Sequence, residues 1–251
     1  MFLVVKQMLK YITESLTHSI PKIITFCLFL PNIPTYYENI IPFLFSSTTL
    51  CLIFHHYDSN KIKVDLSIKD KIVILTNIIV TYFSVFLFVE SIKDNLIVPY
   101  DYQFDTDQFM TVVGWVLAEE FMFYHIHRLF HTKLLYNNPL VGHKMHHKFK
   151  ITSAWTSFYA HPVDNFLSVV GITLLTPYVQ IMYLNHRIQL QTLVFFMFSG
   201  IVTFISSHHA VETRQKRTEG TDHLQHHKFF NCNFGNFGVF DKLYNTYKKQ
   251  K

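Results

Sequence analysis

Histidine spacing constrains this chain more than any other feature. The stretch from His125 to His147 reads HIHRLFHTKLLYNNPLVGHKMHH and holds His125, His127, His131, His143, His146 and His147. Far downstream, HLQHH supplies His223, His226 and His227. H-x-x-H-H therefore occurs twice, with H-x-x-x-H before the first copy. Residues three and four apart share a helix face, so each box aims its imidazoles at one place. Imidazole is the commonest protein ligand for transition metals. Such a set suits iron, zinc or copper, and not magnesium or calcium, which take oxygen. Thirteen of the 16 histidines lie between His125 and His227. That is too concentrated for chance and too interrupted for a purification tag or a low-complexity tract. A fold that satisfies these boxes has to bring distant segments to one point.

The rest of the chain reads as membrane protein. Charged residues make up 16%, against about 25% in an average soluble domain, and Phe is abundant. Ile72–Val89, Phe109–Tyr124, Phe166–Leu184 and Ile188–Ser207 are apolar runs near the ~20 residues a bilayer core requires. Ile40–Phe54 is a shorter fifth candidate that starts beside Pro42. Ile23–Leu30 is apolar but too short to span, and the preceding N-terminal segment reads as an amphipathic helix lying on the membrane, with no small-residue cleavage site. Cys27, Cys51 and Cys232 imply neither a disulfide framework nor a Cys metal motif. The net charge of +5 reads as a positive-inside bias and not as a nucleic-acid footprint.

Parity gives the topology. The hairpin formed by Phe166–Leu184 and Ile188–Ser207 turns at Asn185-His186-Arg187 and separates the two halves of the histidine set. Two crossings return the chain to its starting side, so both boxes face one compartment. Lys61, Lys63, Lys69 and Lys71 precede the second span, and Arg128, Lys133, Lys144, Lys148 and Lys150 surround the first boxes. The intervening loop carries Glu90, Asp94, Asp101, Asp105 and Asp107. By the positive-inside rule the histidine side is cytosolic. The closing Lys248-Lys249-Gln250-Lys251 reads as a dilysine retrieval signal for the endoplasmic reticulum, or as a basic tail on anionic lipid. The fold expected is all-α: an integral membrane bundle of about four to five membrane helices, with a cytosolic histidine-rich cap holding a di-metal site. Residues 1–107 would be membrane-anchoring helices and residues 108–251 a catalytic domain.

FYHIHRLFH, HKMHH, YAHPVDN, SSHHA and HLQHHKFFNCNFGNFGVFDKLYNTY follow one another in order. In this the chain resembles the membrane-bound fatty acid hydroxylase and sterol desaturase superfamily, over roughly Trp115 to Tyr247. EEFMFYHIHR, YAHPVDN and GNFGVFDKL are similar to the branch with C-4 methylsterol oxidases and fatty acid hydroxylase domain-containing proteins. The resemblance implies that His127, His131, His143, His146, His147, His208, His223, His226 and His227 bind metal. Nine nitrogens exceed what one first-row ion takes, and the family is di-iron. It further implies O2-dependent oxidation of a lipid C–H bond, with no catalytic side chain apart from the ligands. Electrons would come from a separate donor such as cytochrome b5 with its reductase.

Five further residues are candidates to orient or join the ligands. Glu120 and Glu119 lie seven and eight residues before His127, on its helix face, and a carboxylate in a membrane segment needs a reason. His161 and Asp164 occupy the HP element, and Glu212 lies four after His208, within reach of a metal if that turn is helical. His125, His186 and His209 are expected not to be ligands. Hydroxylation, demethylation and desaturation share the same metal core. A zinc-binding or zinc-transporting membrane protein is the alternative from another class, and an inactive relative kept as an interaction partner is a third, with zinc possible in an isolated or inactive form. A transporter needs polar groups on both sides of the bilayer, whereas these gather on one.

Overall fold

A computed structural model of the chain describes residues 40, 44–45, 48–49, 52–53, 64–97, 105–208, 211–212, 218–219 and 222–248. The surface helix expected at the N-terminus, the Ile23–Leu30 run, His209 and the last three residues of the lysine-rich tail lie outside them. Four long helical runs carry the fold: α1 (Ile68–Ile92), α2 (Thr106–Phe130), α5 with α6 (Pro162–Asn165 and Gly171–Met182, joined by a π-helical turn at Phe166–Val170) and α7 (Leu190–Ser207). Between and after them come the short α3 (Lys133–Tyr136), α4 (His143–His146), α8 (Asp222–Phe229) and α9 (Val239–Leu243). The chain is an all-α membrane bundle.

Local chemistry sets the helix ends. Ser67 and Asp70 close a reciprocal capping box at the start of α1, and Asp105 accepts from the Gln108 amide at the start of α2. Among the described residues, three helical stretches are long and apolar enough to cross a membrane: Ile68–Asn95, Pro162–Met182 and Leu190–Ser207. That is fewer than the four to five expected. α2 has 25 residues, about 37 Å at 1.5 Å per residue, but its acidic and histidine residues dilute its apolarity. Only part of Ile40–Phe54 is described. The last expected span begins at Leu190 because Ile188 and Gln189 pair instead, as parallel strand β2, with Leu96 and Ile97 of β1.

Contacts at the two ends fix how the helices run. At one end, β1 and β2 pair, Arg187 donates to the Asp94 carbonyl, and Trp115 donates to Gln180 Oε1 at 2.6 Å. At the other, Lys148 meets Asp70 at 2.5 Å, and Asn77 donates to the carbonyls of Phe158 and Ala160, both at 2.8 Å. α1 and α5–α6 therefore leave the histidine end, and α2 and α7 return to it. Between the ends lies a core of Val85, Phe88, Val112, Leu193, Phe196 and Met197, among others. Leu193 is fully buried, so its truncation to Ala would cost about 2–5 kcal/mol. Leu75, Ile79, Phe83 and Phe86 instead make an exposed stripe on α1. In water such a stripe would be a liability, while facing lipid it is ordinary.

Candidate metal centre

Nine imidazoles meet at the histidine end, in two groups. His127, His131, His143, His147 and His226 form one, and His146, His208, His223 and His227 the other. Within each, the candidate ligand atoms lie within 4.8 Å of one another. His127 ends α2, where His131 is the C-terminal cap. The turn into α4 passes through Gly142 at φ +66°, where a Cβ would stand 2.6 Å from that of His161, so only glycine fits. α4 and its C-terminal cap carry His143, His146 and His147. His208 caps α7, and α8 carries the remaining three. Helix ends supply these ligands, which lets several elements point at one spot.

Hydrogen bonding fixes the tautomers of five of the nine. Nδ1 of His127 meets the Phe234 carbonyl at 2.7 Å, and Nδ1 of His226 meets that of Cys232 at 2.7 Å. His208 and His146 reach the carbonyls of Phe204 and Tyr159 at 3.0 and 3.3 Å. His143 Nδ1 lies 2.9 Å from Asp164 Oδ2. A carbonyl only accepts, so these Nδ1 atoms carry the proton and each Nε2 presents a lone pair. The Nε2 atoms point at one another: His131–His143 3.1 Å, His131–His147 3.0 Å, His147–His226 3.2 Å, His208–His223 3.2 Å and His146–His208 3.4 Å. For His146 and His208, whose Nδ1 protons are both fixed by carbonyls, the two Nε2 lone pairs face each other, and facing lone pairs repel unless a cation lies between them. Metal–nitrogen bonds of about 2.0–2.1 Å put neighbouring donors roughly 3.0–3.4 Å apart, and the spacings here match. Among the described residues neither buried ring nitrogen of His227 has a hydrogen-bond partner, which costs free energy unless a ligand takes one. The donor set fits a pair of ions.

Burial and like neighbours hold His131, His146, His147, His208, His223, His226 and His227 below the usual histidine value. Desolvation, then the adjacent imidazoles His143 and His146, lower His131 to about 3. Desolvation lowers His146 to about 4, despite the opposing pull of Asp164, and lowers His208 to about 3. His147, His223, His226 and His227 lie well below the usual histidine value for the same reasons. Neutral imidazole is the form that binds metal.

The fatty acid hydroxylase family profile matches residues 112–246, more than half of the chain. The chain belongs to the fatty acid hydroxylase family. Among similar proteins is fatty acid hydroxylase ahd1 of Mycosarcoma maydis, 28% identical over 148 residues, covering 56% of this chain and 35% of that one. Methylsterol monooxygenase 2-1 of Arabidopsis thaliana is 35% identical over 77 residues, 29% of this chain and 27% of that one. Delta(7)-sterol 5(6)-desaturase of Leptosphaeria maculans is 26% identical over 143 residues, 56% and 38%. The chain thus spans about a third of the length of these curated relatives. No solved structure matches it.

The remaining candidates of this fatty acid hydroxylase family member fall in different places. Asp164 is buried against His143 and also accepts from Ser168 Oγ at 3.2 Å. Glu120 does not touch an imidazole. Its carboxylate accepts from the amides of Asn236, Phe237 and Val239 at 2.8, 3.1 and 3.3 Å. With Asp241, which accepts from the amides of Phe234 and Gly235 at 2.8 and 2.7 Å, it folds the loop whose Phe234 carbonyl receives the His127 proton. Glu119 accepts instead from Thr173 Oγ1 at 2.7 Å. His161 uses its Nδ1 to accept from the Val163 amide at 3.3 Å, capping α5. Glu212 sits in a two-residue strand, β3, paired with Thr218 of β4, so the helical turn that would present it to His208 does not form. His125 is tied to the Phe121 carbonyl of its own helix and His186 to Gln180. Neither joins the groups. The residues that spacing did not expose are Cys232, Phe234, Tyr159 and Phe204, whose carbonyls accept from the imidazoles and carry no side-chain signal.

Two cavities adjoin the centre. A small one of about 20 Å3 is lined by His127, His143, His146, His208 and His223. A larger, mostly apolar one of about 90 Å3 runs among α1, α2, α6 and α7. They share Phe123, Ser168, Val169, Phe204 and Asn236 as walls.

Proposed function

We propose that this protein is a membrane-bound oxidoreductase that uses O2 and two iron ions to oxidise a C–H bond of a sterol or other lipid, as a hydroxylase or methylsterol oxidase does. One observation carries the reading: two groups of imidazoles, buried but for half-buried His131, converge beside a mostly apolar cavity between membrane helices. The five histidines 127, 131, 143, 147 and 226 would hold one ion, and 146, 208, 223 and 227 the other. When bound, the pair supplies the O2 activation that no side-chain acid or base can replace. The chain's own part is to bind, orient and keep dry. Asp164 and the loop carbonyls hold protons at Nδ1 and so aim each Nε2. Phe123, Phe158 and Phe204 line the larger cavity and exclude water from the reacting carbon.

Residues 108–251 would form the catalytic unit and residues 1–107 its membrane anchor, with the histidine cap and C-terminus cytosolic at the endoplasmic reticulum. Electrons would arrive from a separate protein such as cytochrome b5 with its reductase. A desaturase is the second reading, favoured by the similarity to a sterol desaturase. Iron and zinc analysis of purified protein, O2 uptake, and lipid mass spectrometry of cells with and without the protein test the proposal. Iron with lipid-dependent O2 uptake supports it, and an added hydroxyl or a new double bond then separates the two readings. Zinc with no lipid change overturns both. His146→Ala should erase any lipid difference, and survival of activity would refute the ligand set.

A further inference from the structure

The larger cavity contains one carboxyl group. Glu119 lines it from α2, and Thr173 lines it from α6 and donates to Glu119 Oε1 at 2.7 Å. Oε2 of Glu119 has no protein partner among the described residues. Pro177 stands four residues after Thr173 inside α6, so the N–H that would ordinarily bond the Thr173 carbonyl is missing. A carboxyl group and a hydroxyl meet in the wall of a mostly apolar chamber. A carboxyl in a membrane helix is costly enough to be a functional-site hypothesis in its own right, and Glu120 beside it already has three amide partners. Of the other hydroxyls of the wall, Ser168 and Ser199 donate to carbonyls of their own helices, Thr81 accepts from Asn165 and Tyr82 donates to the Leu44 carbonyl, while Thr203 lines the wall from α7.

We infer that Glu119 and Thr173 form the recognition point for the hydroxyl of a long lipid alcohol, with the lipid body running up the cavity to the histidines. This rests on the lipid-oxidase reading and narrows its substrate class. Two helices measure the reach independently. Glu119 precedes His127 by eight residues on α2, and Thr173 follows Asp164, the partner of His143, by nine on α5–α6. At 1.5 Å per residue these are about 12 and 13 Å. Covalent bonds of about 1.5 Å at tetrahedral angles advance an extended chain by about 1.25 Å each, so the carbon presented to the metal lies roughly ten bonds from the bound hydroxyl. Attack next to the hydroxyl-bearing carbon, the C-4 position of a sterol, does not fit this pose. Remote oxidation does.

The test measures binding, so it does not depend on turnover. The full chain in lipid nanodiscs is titrated with cholesterol, with 1-octadecanol, and with the methyl ether of each, following thermal stability and fluorescence. Wild type should bind one alcohol at least tenfold more tightly than its ether, because a site built for an O–H rejects an analogue lacking it. Preference for cholesterol alone indicates a sterol, and for octadecanol a linear chain. Glu119→Leu should abolish the preference while metal content is unchanged. Thr173→Val serves as the second variant should Glu119→Leu lose its fold or its metal, and should reduce the preference several-fold. Equal binding of alcohol and ether by wild type, or a preference that survives both substitutions, overturns the inference and reduces the pair to a helix–helix contact. Absence of metal or of turnover with the preference intact would sink the oxidase reading and leave the alcohol site standing.

Discussion

Glu120→Ala should loosen the metal centre without touching a ligand. Glu120 is 1% exposed, and its carboxylate takes the amides of Asn236, Phe237 and Val239 at 2.8, 3.1 and 3.3 Å. Each buried amide left without an acceptor costs about 1–3 kcal/mol. The longest of the three bonds contributes least, and water entering the vacated space recovers part. The expected loss is therefore about 2–5 kcal/mol, a large share of the 5–15 kcal/mol by which a typical domain is stable. Thermal unfolding in detergent reads it directly. The loop it releases carries Phe234, whose carbonyl holds the His127 proton at 2.7 Å. Removing such an orienting partner lowers metal affinity by about 10–100-fold. Competition between the protein and a chromophoric chelator for ferrous or zinc ion measures that loss. Glu120→Gln should fall between wild type and Ala, since one amide oxygen remains to accept while the NH2 faces donors. An Ala variant with wild-type melting and wild-type metal affinity would refute the chain of contacts from Glu120 through the loop to His127.

Gly235→Ala should act on the same loop from the other side, because the new Cβ would stand 2.6 Å from Glu120 Oε1 and 3.1 Å from Asp241 Oδ2. Those carboxylates are held by backbone amides and cannot step aside, so the expected loss in a thermal melt is about 1–3 kcal/mol. Asp164→Ala should lower metal affinity about 10–100-fold in the same chelator competition, and Asp164→Asn less, since its amide oxygen can still accept from His143. Chelator-treated protein should lose stability as pH falls below about 6.5. There the unfolded chain takes up protons that His131, His146 and His208, lowered to about 3, 4 and 3, refuse when folded. The contribution is complete above 6.5 and drains away as pH falls toward those values. A denaturant midpoint that stays flat from pH 7.5 to 5 would contradict it.

Spacing nominated eight of the imidazoles that meet, the family resemblance the ninth, His208, and both missed what aims them, for one physical reason. Ligand chemistry is confined to few residue types, so the nine histidines of the two groups stand out in the sequence wherever the fold later takes them. Orientation is supplied by carbonyls, which every residue has, so nothing in Cys232, Phe234 or Tyr159 marks them as partners of His226, His127 and His146. Carboxylates are visible but ambiguous. Helix periodicity puts Glu120 on the face of His127, yet its partners are three amides from the far end of the chain, brought there by the packing of α9 against α2. Its neighbour Glu119, one residue and 100° of helix away, meets Thr173 instead. His161 has the right residue type beside Pro162, but the amide of Val163 claims its ring locally, before any longer-range contact is needed. Glu212 fails because β3 forms where a helical turn was required. Local periodicity therefore ranks candidates by face, and tertiary packing decides whether a face meets an imidazole, a loop or a cavity. The adjacent glutamates divide accordingly: one braces the ligand loop, and the other faces the chamber that the substrate would enter.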